Sequence, residues 1–214
     1  MTFQHAIQRT VPVATLVFAA TACAALTAAT IAVPAGQGAP LAMDTARVTI
    51  AGTSNVHEYA AWTDTVRVTR VKLAAATSPD SFWDDIVKAG ALEAFDVAIP
   101  AATLTSPRNG LDKNMHKALN VDAHRDITFR LTRLERRAGG ALAAIGVLRI
   151  AGVERDVTLA LKTERRDAAL AVKGELALLM TDYGIKPPTA MLGMLKTDPK
   201  VTVTFEAVLS VPRT

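Results

Sequence analysis

The stretch VTVTFEAVLSV, residues 201–211, carries the pattern that decides the fold. Apolar side chains occupy every second position, and mostly polar side chains fall between them. The apolar set is Val201, Val203, Phe205, Ala207, Leu209 and Val211. Because successive side chains of a β-strand point to opposite faces, this alternation predicts a strand with one buried face and one face in water.

The same alternation recurs along the chain and predicts an antiparallel sheet with one apolar face. It is found at residues 95–99, 127–131, 157–161 and 170–180, and residues 46–51 read as an opening strand. Short links at 151–155 and 165–169 indicate hairpins. The count is about eight strands, which is near the number at which an antiparallel barrel encloses room for one small ligand.

One strand requires a bulge. Its apolar side chains occupy even-numbered positions at Val66 and Val68 but odd-numbered positions at Val71 and Leu73. A shift of one residue turns every later side chain to the other face. An extra residue near Thr69 and Arg70 would restore the phase, so we expect a β-bulge there.

Two helices interrupt the strands. Ser78 as N-cap and Gly90 just past the end bracket the first, which buries Phe82, Ile86 and Trp83. The second covers residues 111–119, where one apolar stripe repeats every four residues, as on one face of a helix. The stripe consists of Leu111, Met115 and Leu119. This second helix suits a wall or plug over one end of a barrel.

The connection before the last strand, residues 181–199, carries more apolar surface than a loop normally does. Pro187 and Pro188 end the preceding strand and can start a short helical turn. Four apolar residues follow them: Met191, Leu192, Met194 and Leu195. Two interpretations stay open, a flap over an apolar opening and a fixed plug in the core.

The first 42 residues differ from the rest. They contain no acidic residue, and an uncharged stretch at 11–33 follows Arg9. Its length fits a secretion signal or a membrane anchor, and its Ala and Thr content favours a cleaved signal. We therefore expect residues 1–42 to be a signal or anchor with its linker and residues 43–214 to be one exported domain. The only cysteine, Cys23, lies in the signal, so the domain has no disulfide.

The charge and motifs exclude several function classes. The formal net charge of +4 is spread over the chain without a basic stripe interleaved with aromatics, so we expect no nucleic-acid partner. His57 and Glu58 begin HEYAA, which lacks the second histidine of a zinc protease. Ser54 in GTSNV lacks the closing glycine of a nucleophile elbow, and no glycine-rich phosphate loop occurs.

A metal site stays open as an alternative. His116 and His124 lie near Asp112 and Asp122 in sequence, and Asp112 shares a helix face with His116. The competing interpretation is a helix-surface pair and a loop histidine. The rival function is therefore a metal-assisted enzyme that uses His116, His124 and Asp112.

Several segments together resemble the YceI-like family of exported lipid-binding proteins. The resemblance covers residues 43–214 and depends on the order and spacing of four segments. They are TIAGTSNVHEYAAWT (49–63), LDKNMHKALNVDAHRDITFRL (111–131), GVLRIAGVERDVTLAL (146–161) and LLMTDYGIKPPTAMLGMLKTDPKVTVTF (178–205). The helix at 78–90 departs from the family pattern, which puts the length or head group of the ligand in doubt.

The resemblance implies a lipocalin-like antiparallel barrel in the bacterial periplasm that binds a polyisoprenoid or isoprenoid-quinone-type lipid without catalysis. It implies no cofactor beyond the bound lipid, a membrane-associated donor or acceptor as a further partner, and a monomer or homodimer. A third alternative is a solid barrel that serves as an interaction module, because small barrels are often filled by their own side chains. Many Ala and Val positions and flexible methionines favour a cavity.

The expected ligand contacts follow from the inward faces, the helix stripe and the connection. They are Trp62, Phe95, Met115, Leu119, Phe129, Leu131, Met180, Tyr183, Met191, Leu192, Met194 and Phe205. Cavity ligands are usually oriented by a few polar groups. The head-group candidates are His57, His116 and Lys186.

Overall fold

The protein is described by a computed structural model that covers residues 41–74, 81–88, 90–190 and 194–211. The strands in this part of the chain are β1 (Ala42–Ser54), β2 (Glu58–Thr63), β3 (Arg67–Leu73), β4 (Leu92–Pro100), β5 (Asp126–Arg136), β6 (Leu142–Ile150), β7 (Val153–Arg166), β8 (Ala169–Leu179), β9 (Thr189–Ala190) and β10 (Leu195–Ser210). The helices are α1 (Phe82–Ile86) and α2 (Asn109–Leu119).

Nine of the strands form one curled antiparallel sheet in the order β2-β1-β10-β8-β7-β6-β5-β4-β3, and the two-residue β9 pairs only with β10. This architecture confirms the predicted antiparallel lipocalin-like fold with short helices. The sheet has one strand more than the expected eight, and β2 is a strand that the alternation pattern did not predict. We call the end with the β7–β8 turn the upper end and the end with the β1–β2 turn the lower end.

The break between β2 and β3 determines how the sheet closes. β2 pairs with the lower half of β1, whereas β3 pairs with β4. The free edge of β2 is bound to the segment after β4, since the amide of Trp62 donates to Thr105 O at 2.8 Å and the amide of Thr105 donates to Trp62 O at 2.9 Å. Just above the break, Arg47 donates two hydrogen bonds to Asp64 and so lowers the pKa of that carboxyl group.

Local irregularities in the sheet match the sequence pattern. The register of β3 against β4 shifts between Val68 and Arg70, which confirms the bulge predicted near Thr69. The β6–β7 and β7–β8 links are tight hairpins, as predicted. At the first, Ala151 and Gly152 both have positive φ angles, 47° and 83°, as the preferred two-residue hairpin turn requires.

Helix α1 covers the upper end of the barrel. Phe82, Trp83 and Ile86 are all buried, and the Trp83 indole donates a 3.2 Å hydrogen bond to Ala168 O in the β7–β8 turn. The helix is shorter than the span expected from residues 78–90. Ser78, the predicted N-cap, lies outside the described residues.

Helix α2 covers the lower end and confirms the second predicted helix, with a start two residues earlier. It ends at Asn120, whose left-handed conformation (φ 50°) lets its amide donate to the last carbonyl groups of the helix. Leu119 is buried, and Met115 packs against the core cluster to which Leu119 belongs. We call this group the lower core cluster; its buried members are Ala101, Leu104, Leu119, Ile127, Ile150, Tyr183 and Ile185.

The described helices include none that is long and apolar enough to cross a membrane.

The connection before β10 differs from the expected helical turn. β8 ends at Leu179, and Met180–Tyr183 form a 3₁₀ turn. After the two prolines the backbone pairs as β9 with the start of β10. Asn55 holds this small hairpin, because its side-chain amide donates to Met194 O and accepts from the Lys196 amide, both at 2.8 Å. Met191 and Leu192 lie outside the described residues, so the choice between flap and plug stays open.

Candidate functional site

Two cavities lie one above the other inside the curled sheet. The upper cavity has a volume of about 180 Å³ and the lower one about 520 Å³. They share Val203 in their linings, and successive inward residues of one strand line first one and then the other, as with Val48 and Ile50 of β1. The interior is therefore a stack of two compartments along the barrel axis.

The upper cavity is apolar apart from Thr163. Its lining includes four of the predicted ligand contacts: Phe95, Phe129, Leu131 and Phe205. Trp83 and Ile86 of α1 close it from above. Apart from the Thr163 hydroxyl, no side chain in this lining can pair with a polar group, so the upper compartment suits a hydrocarbon chain.

Two glycines in the sheet let aromatic rings pack closely against the wall of the upper cavity. A Cβ atom on Gly174 would lie 2.8 Å from the Phe205 ring and 2.9 Å from a Leu161 methyl group. A Cβ atom on Gly146 would collide with Arg130 O and lie 2.7 Å from the Phe129 ring. The missing side chains therefore leave space in the wall for the two rings.

The lower cavity combines an apolar interior with a polar mouth. Four further predicted contacts line it: Trp62, Met115, Leu119 and Met180. Its polar lining residues are Ser54, His57, Glu58, Tyr59, Arg108, Asn114, Thr189 and Thr197. The volume lies within the usual range for small-molecule sites, about 300–1,000 Å³.

A short contact between His57 and Arg108 forms part of this mouth. Arg108 Nη1 lies 2.9 Å from His57 Nε2. A guanidinium group only donates hydrogen bonds, so Nε2 must be the acceptor, and the imidazole is then neutral with its proton on Nδ1. The pair presents one permanent positive charge at the opening of the lower cavity.

Tyr59 adds a neutral donor. Burial raises the pKa of its hydroxyl above the usual value of 10.0, and the charge of Asp198 raises it further. The phenol therefore keeps its proton at neutral pH. Its ring lies over Gly52, where a Cβ atom would collide with the hydroxyl oxygen.

Several predicted contacts lie outside both cavities. Tyr183 is only 2% exposed and belongs to the lower core cluster, because the 3₁₀ turn directs it into that cluster. Met194 is 68% exposed at the tip of the β9–β10 hairpin. Lys186 is exposed and lines neither cavity. Met191 and Leu192 fall outside the described residues.

The two histidines among the proposed metal ligands make contacts elsewhere in the fold. His116, also a head-group candidate, does not line either cavity, since its Nε2 lies 2.8 Å from Leu104 O. The His124 ring packs against Gly152 of the β6–β7 turn. Asp112 Oδ1 is buried without a hydrogen-bond partner. Within the described ranges, no three His, Cys, Asp or Glu side chains form a group that could hold a metal ion.

Sequence patterns did not identify Arg108 or Tyr59 as site residues. Arg108 immediately precedes α2 in a turn, where periodicity carries no information about direction. Tyr59 lies on β2, where residues 58–62 all line the lower cavity. Alternation along this strand therefore does not single out Tyr59, and both residues required the structure.

Comparison with known proteins identifies the family of this chain and solved structures with the same fold. The family model for the YceI-like domain matches residues 44–209. No curated protein matches the chain. Solved structures that resemble it include BcnA of Burkholderia cenocepacia, with 12% identity, TM-score 0.59, and coverage of 76% of this chain and 95% of that one.

Two further structures have the same fold. A polyisoprenoid binding domain from Saccharophagus degradans, implicated in plant cell wall breakdown, is 13% identical, with TM-score 0.60 and coverage of 81% of this chain and 99% of that one. The Campylobacter jejuni YceI protein is 14% identical, with TM-score 0.51 and coverage of 70% and 85% respectively. With the family model matched over nearly the whole described part, the chain belongs to the YceI-like family.

Proposed function

We propose that the protein is a periplasmic carrier that holds an isoprenoid-type lipid inside the barrel and releases it chemically unchanged. The observation that carries this proposal is the stack of an apolar upper compartment on a wider lower compartment with a polar mouth. A long hydrocarbon chain with a small polar end has the same distribution of polarity. The structural likeness to a polyisoprenoid binding domain supports the same ligand class.

The energetics favour a ligand of several isoprene units. Burying hydrocarbon is worth about 0.8 kcal/mol per carbon, so a five-carbon unit contributes ~4 kcal/mol. Association costs about 4–15 kcal/mol in lost freedom of motion. Two units therefore offset the lower part of that range, and each further buried unit adds to the net affinity.

The carrier role depends on export, for which the support is the uncharged segment at residues 11–33. Expressing the full chain in a Gram-negative host and separating the periplasm by osmotic shock checks this step. We expect mature protein in the periplasmic fraction, shortened at the N-terminus. Full-length protein in the cytoplasm would contradict it.

Lipid extraction tests the ligand class. We expect organic extracts of the purified protein to contain isoprenoids at close to one per chain by mass spectrometry, with the same mass recovered after incubation. An altered mass would favour an enzyme. Protein that is consistently empty and ignores added isoprenoids would overturn the proposal.

A further inference from the structure

Among the described residues, Arg108 is the only Lys or Arg in the linings of the two cavities. Many exposed arginines of this protein pair with carboxylates, as Arg47 does with Asp64 and Arg130 with Glu154. Arg108 differs, because its side-chain partner is the neutral imidazole of His57. No carboxylate in the described part of the chain forms an ion pair with it.

Both members of the pair have a fixed backbone. Ser106 Oγ accepts from the Arg108 amide at 3.2 Å and donates to Arg108 O at 3.0 Å. Ser54 Oγ holds His57 in the same way, accepting from its amide at 3.1 Å and donating to its carbonyl at 2.8 Å. Fixing the backbone limits the entropy lost when the side chains bind a ligand.

The groups around the pair favour acceptance of negative charge. Tyr59 presents a protonated hydroxyl in the same lining, and Asn114 presents an amide. The opposing acids are Glu58, which is exposed at the rim, and Asp112 and Asp198, which line neither cavity. A guanidinium group binds phosphate and carboxylate oxygens through strong charge-assisted hydrogen bonds.

We propose that the lower mouth binds an anionic head group, phosphate or carboxylate, of an isoprenoid lipid, and that Arg108 is the residue that determines this specificity. The tail then runs through the lower cavity towards the apolar compartment below α1. This inference rests on the proposed function, because it assigns one end of the same ligand.

The test compares lipids that differ only in the head group. Geranylgeranyl phosphate, geranylgeranoic acid and geranylgeraniol are titrated into the delipidated protein at physiological ionic strength, and binding is followed by tryptophan fluorescence. We expect the wild type to bind the phosphate at least about tenfold more tightly than the alcohol, which corresponds to about 1.4 kcal/mol. The acid shows whether a carboxylate suffices or phosphate is required.

Three variants separate charge recognition from a general loss of binding. Arg108→Gln should weaken binding of the anionic lipids far more than binding of the alcohol and so remove the preference. Arg108→Lys should retain most of the preference. Arg149→Gln removes an equal charge from an exposed residue outside both linings and should bind like the wild type.

Equal affinity of the wild type for the phosphate, the acid and the alcohol would overturn the assignment of the head group and leave the carrier function intact. Equal loss of all three lipids in Arg108→Gln would show that Arg108 has a structural role, and would overturn its role in specificity. Failure of the wild type to bind any of the three would overturn the carrier function together with this inference.

Discussion

At the scale of single residues, the wall of the upper cavity depends on glycines as much as on large side chains. Phe205 lies against Gly174, its cross-strand neighbour in the register of β10 and β8. An aromatic ring over a glycine compensates for the missing side chain and keeps the ring out of the lumen. The space for a ligand is therefore set by residues that contribute no side chain.

Gly174→Ala tests this arrangement. The new Cβ atom must displace Phe205 and Leu161, so we expect a loss of about 1–3 kcal/mol in the free energy of unfolding. Gly110→Ala is the matched control, because no atom lies within 4 Å of its added Cβ and it sits in α2. The control should gain about 0.5–1 kcal/mol. Urea denaturation measures both, and equal effects would contradict the packing argument.

Residue patterns predicted the cavity lining where side-chain direction follows from the backbone. Phe129, Phe205 and Met115 lie on regular elements, where period alone fixes their faces. The position of Tyr183 depends on a short 3₁₀ turn, and that of His116 depends on a contact with the carbonyl of Leu104. Neither feature follows from the period of a strand or helix, so the sequence pattern did not give the direction of either side chain.

At the scale of elements, α1 acts as the upper boundary of the binding space. Ile86 is 4% exposed and lines the upper cavity, whereas Asp84 on the same helix is exposed. A single turn of helix has little stability of its own, so its position depends on the contacts of its buried face.

Ile86→Ala should lower the free energy of unfolding by about 2–5 kcal/mol, because it removes buried methyl groups and enlarges the cavity. Asp84→Ala is the control in α1. Its carboxylate lies 3.6 Å from Arg165 at the surface, and an exposed pair contributes less than about 1 kcal/mol. Chemical denaturation of the lipid-free proteins compares them. A loss below 1 kcal/mol for Ile86→Ala would mean that α1 is not firmly packed.

Element prediction succeeded where a pattern was long and failed where it was short. The bulge in β3 followed from a phase shift across seven strand residues. β9 has two residues and no measurable alternation, and the two prolines before it are equally compatible with a turn of helix. Its pairing with β10 depends on Asn55, which lies 141 positions from Lys196 in the sequence.

At the scale of the whole molecule, the two cavities give each tryptophan a separate position. The chain has two tryptophans, and Trp83 lines the upper cavity while Trp62 lines the lower one. Trp62→Phe and Trp83→Phe each leave one reporter. A long isoprenoid should change the emission of both variants, whereas a short one held at the mouth should change only that of Trp83→Phe. Identical responses at every chain length would contradict two separate compartments.

The pairing of the first strand with the last has a consequence for how the molecule forms. Arg47 lies opposite Glu206 in the ladder between β1 and β10, and Ser210 Oγ contacts Asp44 Oδ1 across 166 positions of sequence. Contacts this distant carry a large loop-closure cost, and folds dominated by them typically need milliseconds to seconds. β1 has no partner along its upper half until residue 210 has been synthesised. Until β10 has been synthesised, β1 and β8 both lack the strand that lies between them, so this sheet can be completed only after β10 has left the ribosome.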